Sequence, residues 1–144
     1  MTKITGTFTG RASIQTSVVL PDVPDHSLSL AEVSGQQKVS DPLFADARIT
    51  YWGTADLVAG SGPQSGYWIN NRPSGDSDWG TYAGKITNSG GQTIMEGTFK
   101  WVGGTGKLKG ISGGGKYKGR FLSPIEVVND WEGEYEVAQA KAAN

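Results

Sequence analysis

The sequence predicts one all-β domain closed into a small barrel, and three observations carry that prediction. Apolar and polar residues alternate with a period of two through most of the chain. Glycine supplies 22 of 144 residues, about twice its usual share, and is spread among the alternating runs. The five Trp, five Tyr and four Phe fall in the same runs, and rings interleaved with glycine are how strongly coiled sheets read. An open β-sandwich is the alternative the pattern allows; glycines inside the strands favour sharp coiling and closure.

The elements follow in order. Ile4, Gly6, Phe8 and Gly10 share one face of the first run, with Thr5, Thr7 and Thr9 opposite. Leu20-Pro21-Asp22-Val23-Pro24-Asp25-His26 is a turn, and strand resumes from Ser27 to Val39 until Ser40-Asp41-Pro42. Ala47 to Val58 is a long β-rich run, ended by Gly60-Ser61-Gly62-Pro63. Ser65 to Asn70 forms a further strand, and residues 71–76 turn. Trp79 to Thr87 alternates into Asn88-Ser89-Gly90-Gly91, a strong hairpin signal. Thr93, Met95, Gly97, Phe99 and Trp101 share a face of the next strand, and residues 103–111 read as a short helical turn. A Gly-rich strand follows, with Lys116, Lys118 and Arg120 outward and Tyr117 and Phe121 inward. The last strand sets Trp131, Gly133, Tyr135 and Val137 against Asp130, Glu132, Glu134 and Glu136, the pattern of a sheet with one dry and one wet face. Eight strands is also the number at which a barrel interior is just filled or holds one small ligand. The barrel is expected over residues 1–137, with a flexible tail over 138–144.

Composition excludes several function classes. A chain of this length buries a core without staples, and it has no cysteine for a disulfide, thiolate metal site or thiol nucleophile. His26 is the only histidine, so a multi-histidine metal centre is excluded. Thirteen basic and fourteen acidic residues are interspersed, which predicts neither a nucleic-acid nor a membrane partner. Met1-Thr2-Lys3-Ile4-Thr5-Gly6 runs straight into strand with no apolar stretch of a signal peptide, so the expected location is the cytoplasm. No βαβ unit is present, and Gly106-Lys107-Leu108 lacks the Ser/Thr and long helix of a phosphate loop. Neither a metal nor any other cofactor is expected.

The block Glu96–Gly119, EGTFKWVGGTGKLKGISGGGKYKG, covers about a sixth of the chain and resembles a signature of the allene oxide cyclase-like barrels, which include plant dirigent proteins. Gly66-Tyr67-Trp68 and Trp79 to Lys85 are similar to uncharacterised bacterial members of that group. The resemblance implies an eight-stranded antiparallel up-and-down barrel, a ligand-accepting cavity and a homo-oligomer, dimer or trimer. In this reading Gly103, Gly104 and Gly106 supply positive φ for a tight reversal, and Leu108 and Ile111 plug one end of the barrel. Fold alone transfers no activity, and no active-site residue of the cyclases aligns onto this chain.

Candidate site residues therefore come from chemistry. Glu32 is in phase with Leu28 and Leu30; a carboxylate inside an apolar barrel has a raised pKa and can move a proton. Solvent exposure of that face is the alternative. His26, at a strand mouth, is a candidate base; a solvated loop residue is the alternative. Tyr51, Trp52, Tyr67, Trp68, Tyr82 and Trp101, with Asn70 as a polar anchor, are the candidate ligand wall, although neighbours such as Tyr51 and Trp52 must face opposite sides. Asp76 and Asp78 read as part of a polar turn. Together these predict a cofactor-independent isomerase, cyclase or lyase acting on a small hydrophobic molecule. The alternative is a non-catalytic binding or template barrel of the dirigent kind.

Overall fold

Each alternating run becomes a strand in the computed structural model, which describes residues 1–138. The strands are β1 (Thr2–Leu20), β2 (His26–Val39), β3 (Arg48–Val58), β4 (Gly62–Asn71), β5 (Ser77–Ser89), β6 (Gln92–Gly104), β7 (Ser112–Phe121) and β8 (Glu126–Glu136). Every strand pairs antiparallel with its sequence neighbour, and β1 closes on β8. The result is an eight-stranded up-and-down barrel. The tail expected over 138–144 lies, apart from Ala138, outside the described residues. Among the described residues no helix is long and apolar enough to cross a membrane.

Closure removes sheet edges along most of the wall, with one exception. β1 stays paired to β8 only up to Arg11–Glu126, but to β2 as far as Leu20–His26. A bulge between Ala12 and Ile14 marks the departure and reverses the phase of β1. Before it Ile4, Phe8 and Ala12 point inward; after it Ile14 pairs with Glu32 and Val18 with Leu28 on the outside. The β1–β2 hairpin therefore stands above the barrel as a raised lip, tied to the β7–β8 turn by Gln15 Nε2 donating to Pro124 O at 3.0 Å.

The two ends differ because their connections differ. At one end the β2–β3 and β6–β7 loops each carry a 3₁₀ turn, Pro42–Phe44 and Gly106–Leu108. Phe44, Leu108 and Ile111 from these loops are sealed from solvent. The first turn is capped by Asp41, whose Oδ1 accepts from Leu43 N at 2.9 Å. Leu108 and Ile111 thus plug the end as expected, with Phe44 as a further stopper packed edge-on against Tyr135 at 4.8 Å. Of the glycines expected to turn this segment, only Gly106 has positive φ; Gly103 and Gly104 are instead sites of close approach by Trp79 and Leu108. At the opposite end the strands are joined by short turns that leave the barrel open. One is Gly90-Gly91, with φ of 58° and 80°, values a hairpin turn of this type demands. The shape is a cup.

Inward glycines create the space inside the cup. Gly53 faces Gly66 across β3–β4, and a Cβ on Gly53 would collide with the Tyr82 hydroxyl. Gly84 faces Gly97 across β5–β6, where added Cβ atoms would lie 2.6 and 2.7 Å from the Tyr117 hydroxyl. The hydroxyl end of each ring thus reaches over a glycine pair on the wall.

Candidate functional site

The inward faces meet around a cavity of about 70 Å³ near the barrel centre, lined mainly by Phe8, Ile49, Tyr51, Trp68, Tyr82, Met95, Phe99, Trp101, Tyr117 and Trp131. Tyr51, Gln64, Tyr82 and Met95 also line a mouth of about 790 Å³ at the open end. The cavity is therefore the lower chamber of a larger pocket, and those four side chains form its neck. The rings pack edge-to-face throughout; Tyr51–Tyr82 and Tyr82–Tyr117 have centroids 5.9 and 5.8 Å apart at nearly right angles.

Polar groups below the cavity form one chain of hydrogen bonds. Trp131 Nε1 donates to Gln37 Oε1 at 3.0 Å, Gln37 Nε2 to Asn70 Oδ1 at 3.3 Å, and Asn70 Nδ2 to Asp78 Oδ2 at 3.2 Å. Asp78 also accepts from Trp101 Nε1 at 2.8 Å and from Arg72 at 2.8 Å. Its side chain is fully enclosed and that of Arg72 is 5 % exposed. This is a buried ion pair with the carboxylate saturated by donors, the arrangement that makes such burial tolerable. Arg72 also lies over the Phe44 ring at 5.5 Å.

The cavity hydroxyls are held neutral. Burial pushes Tyr51, Tyr82 and Tyr117 well above the ordinary phenol value. Tyr117 donates to Gln64 Oε1 at 2.7 Å. At the closed end, burial and then the bond to Asp41 push Tyr135 up to about 12. Asn129, 7 % exposed, also lines the cavity, and its Oδ1 has no hydrogen-bond partner.

The structure divides the sequence-predicted residues into two groups. Tyr51, Trp68, Asn70, Tyr82 and Trp101 line the cavity. Trp52 and Tyr67 are paired on the outer face of β3–β4, as adjacency to inward rings requires. Glu32 corrects the expectation of an inward acid: Leu28, Leu30 and Glu32 do share a face, but it is the outer one. Both Glu32 oxygens are engaged there, Oε1 by Trp52 Nε1 at 2.6 Å and Oε2 by Ser13 Oγ at 2.9 Å. The inner face of β2 carries Ala31, Val33, Gly35 and Gln37 instead, because rings from other strands take most of the interior's room. His26 sits on the outer rim between two carboxylates, Nδ1 to Asp22 at 2.6 Å and Nε2 to Asp56 at 2.5 Å. The hydrogen bond to Asp22, then that to Asp56, raises its pKa, and His26 in turn lowers that of Asp22. Opposite ring nitrogens cannot serve one ion, and among the described residues no group of three or more His, Cys, Asp or Glu could hold a metal.

Sequence reasoning missed Gln37, Gln64 and Asn129. Asn129 had a usable signal, since it shares the phase of inward Trp131. Asp78 is no turn residue; it opens β5 in the inward phase of Tyr82.

Fold and site together define a closed antiparallel barrel with an aromatic inner chamber and one open mouth. No family model matches the chain, and no curated protein matches it. Among solved structures it is similar to a protein of unknown function from the DUF3224 family of Shewanella oneidensis MR-1. That similarity has a TM-score of 0.52 at 17 % identity, over 96 % of this chain and 99 % of the other. Likeness at that identity establishes the shared fold and nothing of the activity.

Proposed function

We propose that the chain is a binding barrel, which takes a small, largely apolar molecule through its open mouth into the aromatic chamber. One observation carries this reading: ten apolar or aromatic side chains line the chamber, and among the described residues no Asp, Glu, Lys, Arg or His does. Apolar concavity with a few convergent polar groups is what small-ligand sites share. The proposal extends to kinship with the allene oxide cyclase-like barrels, supported by the up-and-down closure and by the Glu96–Gly119 block spanning most of β6, the Leu108 plug and most of β7.

Tryptophan emission tests the binding reading, because Trp68, Trp101 and Trp131 face the chamber. Titration with uncharged aromatic probes is expected to give a saturable change in emission. Met95→Trp, which fills the neck, should abolish it while circular dichroism keeps its β signature. A linear, unsaturable response in the parent protein would reject the proposal.

A catalytic reading, a cofactor-independent isomerase, cyclase or lyase, draws on the three neutral tyrosine hydroxyls, which can donate to developing negative charge. It gains nothing from Glu32, which stands outside the barrel. Incubation with each bound probe followed by mass analysis separates the two readings: a binding barrel returns the molecule unchanged, and an enzyme does not.

A further inference from the structure

Resting on the reading of the chamber as a binding site, we propose that its ligand is an uncharged molecule that buries a hydrogen-bond donor, a ring N–H or a hydroxyl, against Asn129. The side chain of Asn129 projects from β8 between Phe8 of β1 and Gly119 of β7. It is more than nine-tenths buried, it lines the chamber, and its Oδ1 accepts nothing. Buried acceptors are almost always paired, so one left unpaired on a residue that lines a cavity marks a position that a ligand fills. The other amides contrast with it: Gln37 Oε1 and Asn70 Oδ1 are both taken within the chain of bonds to Asp78.

Neutrality follows from the same inventory. The carboxylate below the chamber, Asp78, is already shared among Arg72, Trp101 and Asn70. A charged ligand would meet no countercharge in a low-dielectric site, at heavy desolvation cost. The hydroxyls of Tyr51 and Tyr82 have no side-chain partner among the described residues, and burial keeps them protonated. They are donors for a second, accepting atom of the ligand.

Size sets the shape. A chamber of about 70 Å³ takes only the donor-bearing edge, and the mouth of about 790 Å³ takes the remainder. A flat molecule suits the neck between Tyr51, Tyr82 and Met95, with ring edges meeting faces.

Isothermal titration calorimetry with indole and indene tests the inference, since the two share a shape and differ in N–H against CH₂. Indole is expected to bind about tenfold more tightly, the margin of one well-made hydrogen bond. Asn129→Leu should bring the ratio close to one. Indole-3-carboxylate should bind more weakly than indole. Equal affinity for indole and indene in the parent protein overturns the donor inference and leaves the binding barrel standing. Carboxylate binding as tight as that of indole overturns neutrality. Binding of neither indole nor indene overturns both this inference and the reading beneath it. The parent-protein comparison decides the matter even if Asn129→Leu does not fold.

Discussion

Asp78→Asn isolates the charge at the base of the chamber without changing its shape. The carboxylate accepts from Arg72, Trp101 and Asn70, and both members of the ion pair are shut away from water. The amide keeps one acceptor and turns the other position into a donor, which then faces a donor. The larger effect is on Arg72, whose Nε already lacks a partner and whose bond to Phe44 O is long, at 3.4 Å. Its guanidinium would be left as an unpaired buried cation, which costs about 3–5 kcal/mol. For a chain of this length that lowers Tm by about 10 °C or more. Urea unfolding at pH 7, followed by tryptophan emission and by circular dichroism, measures the loss. Adding Arg72→Met to Asp78→Asn should recover part of it, because a thioether tolerates the site that a lone cation does not. A loss below about 1 kcal/mol, well under the cost of orphaning a buried charge, would refute the account, as would a double variant no more stable than the single one.

Further outcomes follow from neighbouring features. Gly53→Ala drives a methyl into the Tyr82 hydroxyl; overpacking of this kind lowers stability by about 1–3 kcal/mol, read as a drop in urea midpoint. Tyr117→Phe removes the 2.7 Å bond to Gln64 and should cost about 1 kcal/mol in urea unfolding. For His26, a raised pKa means its stabilisation is complete below the unfolded value of 6.5 and is lost as pH rises through the folded value. Asp22 has the opposite sign: its contribution is present above 3.8 and is lost as pH falls through the lowered value. The Tm gap between the parent and His26→Gln should therefore be widest between pH 3.8 and 6.5 and narrow by pH 9; a gap independent of pH would refute the rim cluster as drawn.

How far the sequence carried this picture depended on whether alternation and hydrophobicity agreed. They agree in β8, where Trp131 and Tyr135 point inward against a wall of acidic residues, and in β7, where Lys116, Lys118 and Arg120 are exposed. They disagree in β2. There the apolar residues Leu28 and Leu30 face out, each 45 % exposed, and the inner face is small and polar. Choosing the dry face by its leucines put Glu32 on the wrong side, although its phase was read correctly. The charge pattern further along β2 held the answer, since Glu32 shares its phase with Gln36 and Lys38. The bulge after Ala12 was not legible at all, because no glycine or proline marks it. Nor was the Arg72–Asp78 pair, since residues six apart across a turn become partners only once β4 and β5 are in register.

The misread face of β2 and the emptiness of the chamber have one cause. A barrel interior has fixed room, so large rings on some strands require small residues on others. Here Trp68, Phe99, Trp101 and Trp131 spend that room low in the barrel, where they lean on the plugged end. Higher up, the Tyr82 and Tyr117 hydroxyls reach over glycine pairs, and the inward phase of β2 offers only the small Ser29, Ala31 and Val33. Gly53, Gly66, Gly84 and Gly97 have no room for a Cβ beside those rings and the facing backbone, so larger residues do not fill the upper barrel there. Their absence leaves neutral hydroxyls and the unpaired Asn129 oxygen around a chamber below a mouth wide enough for a ligand. The leucines that a packed interior would have used lie on the outer face of β2 instead.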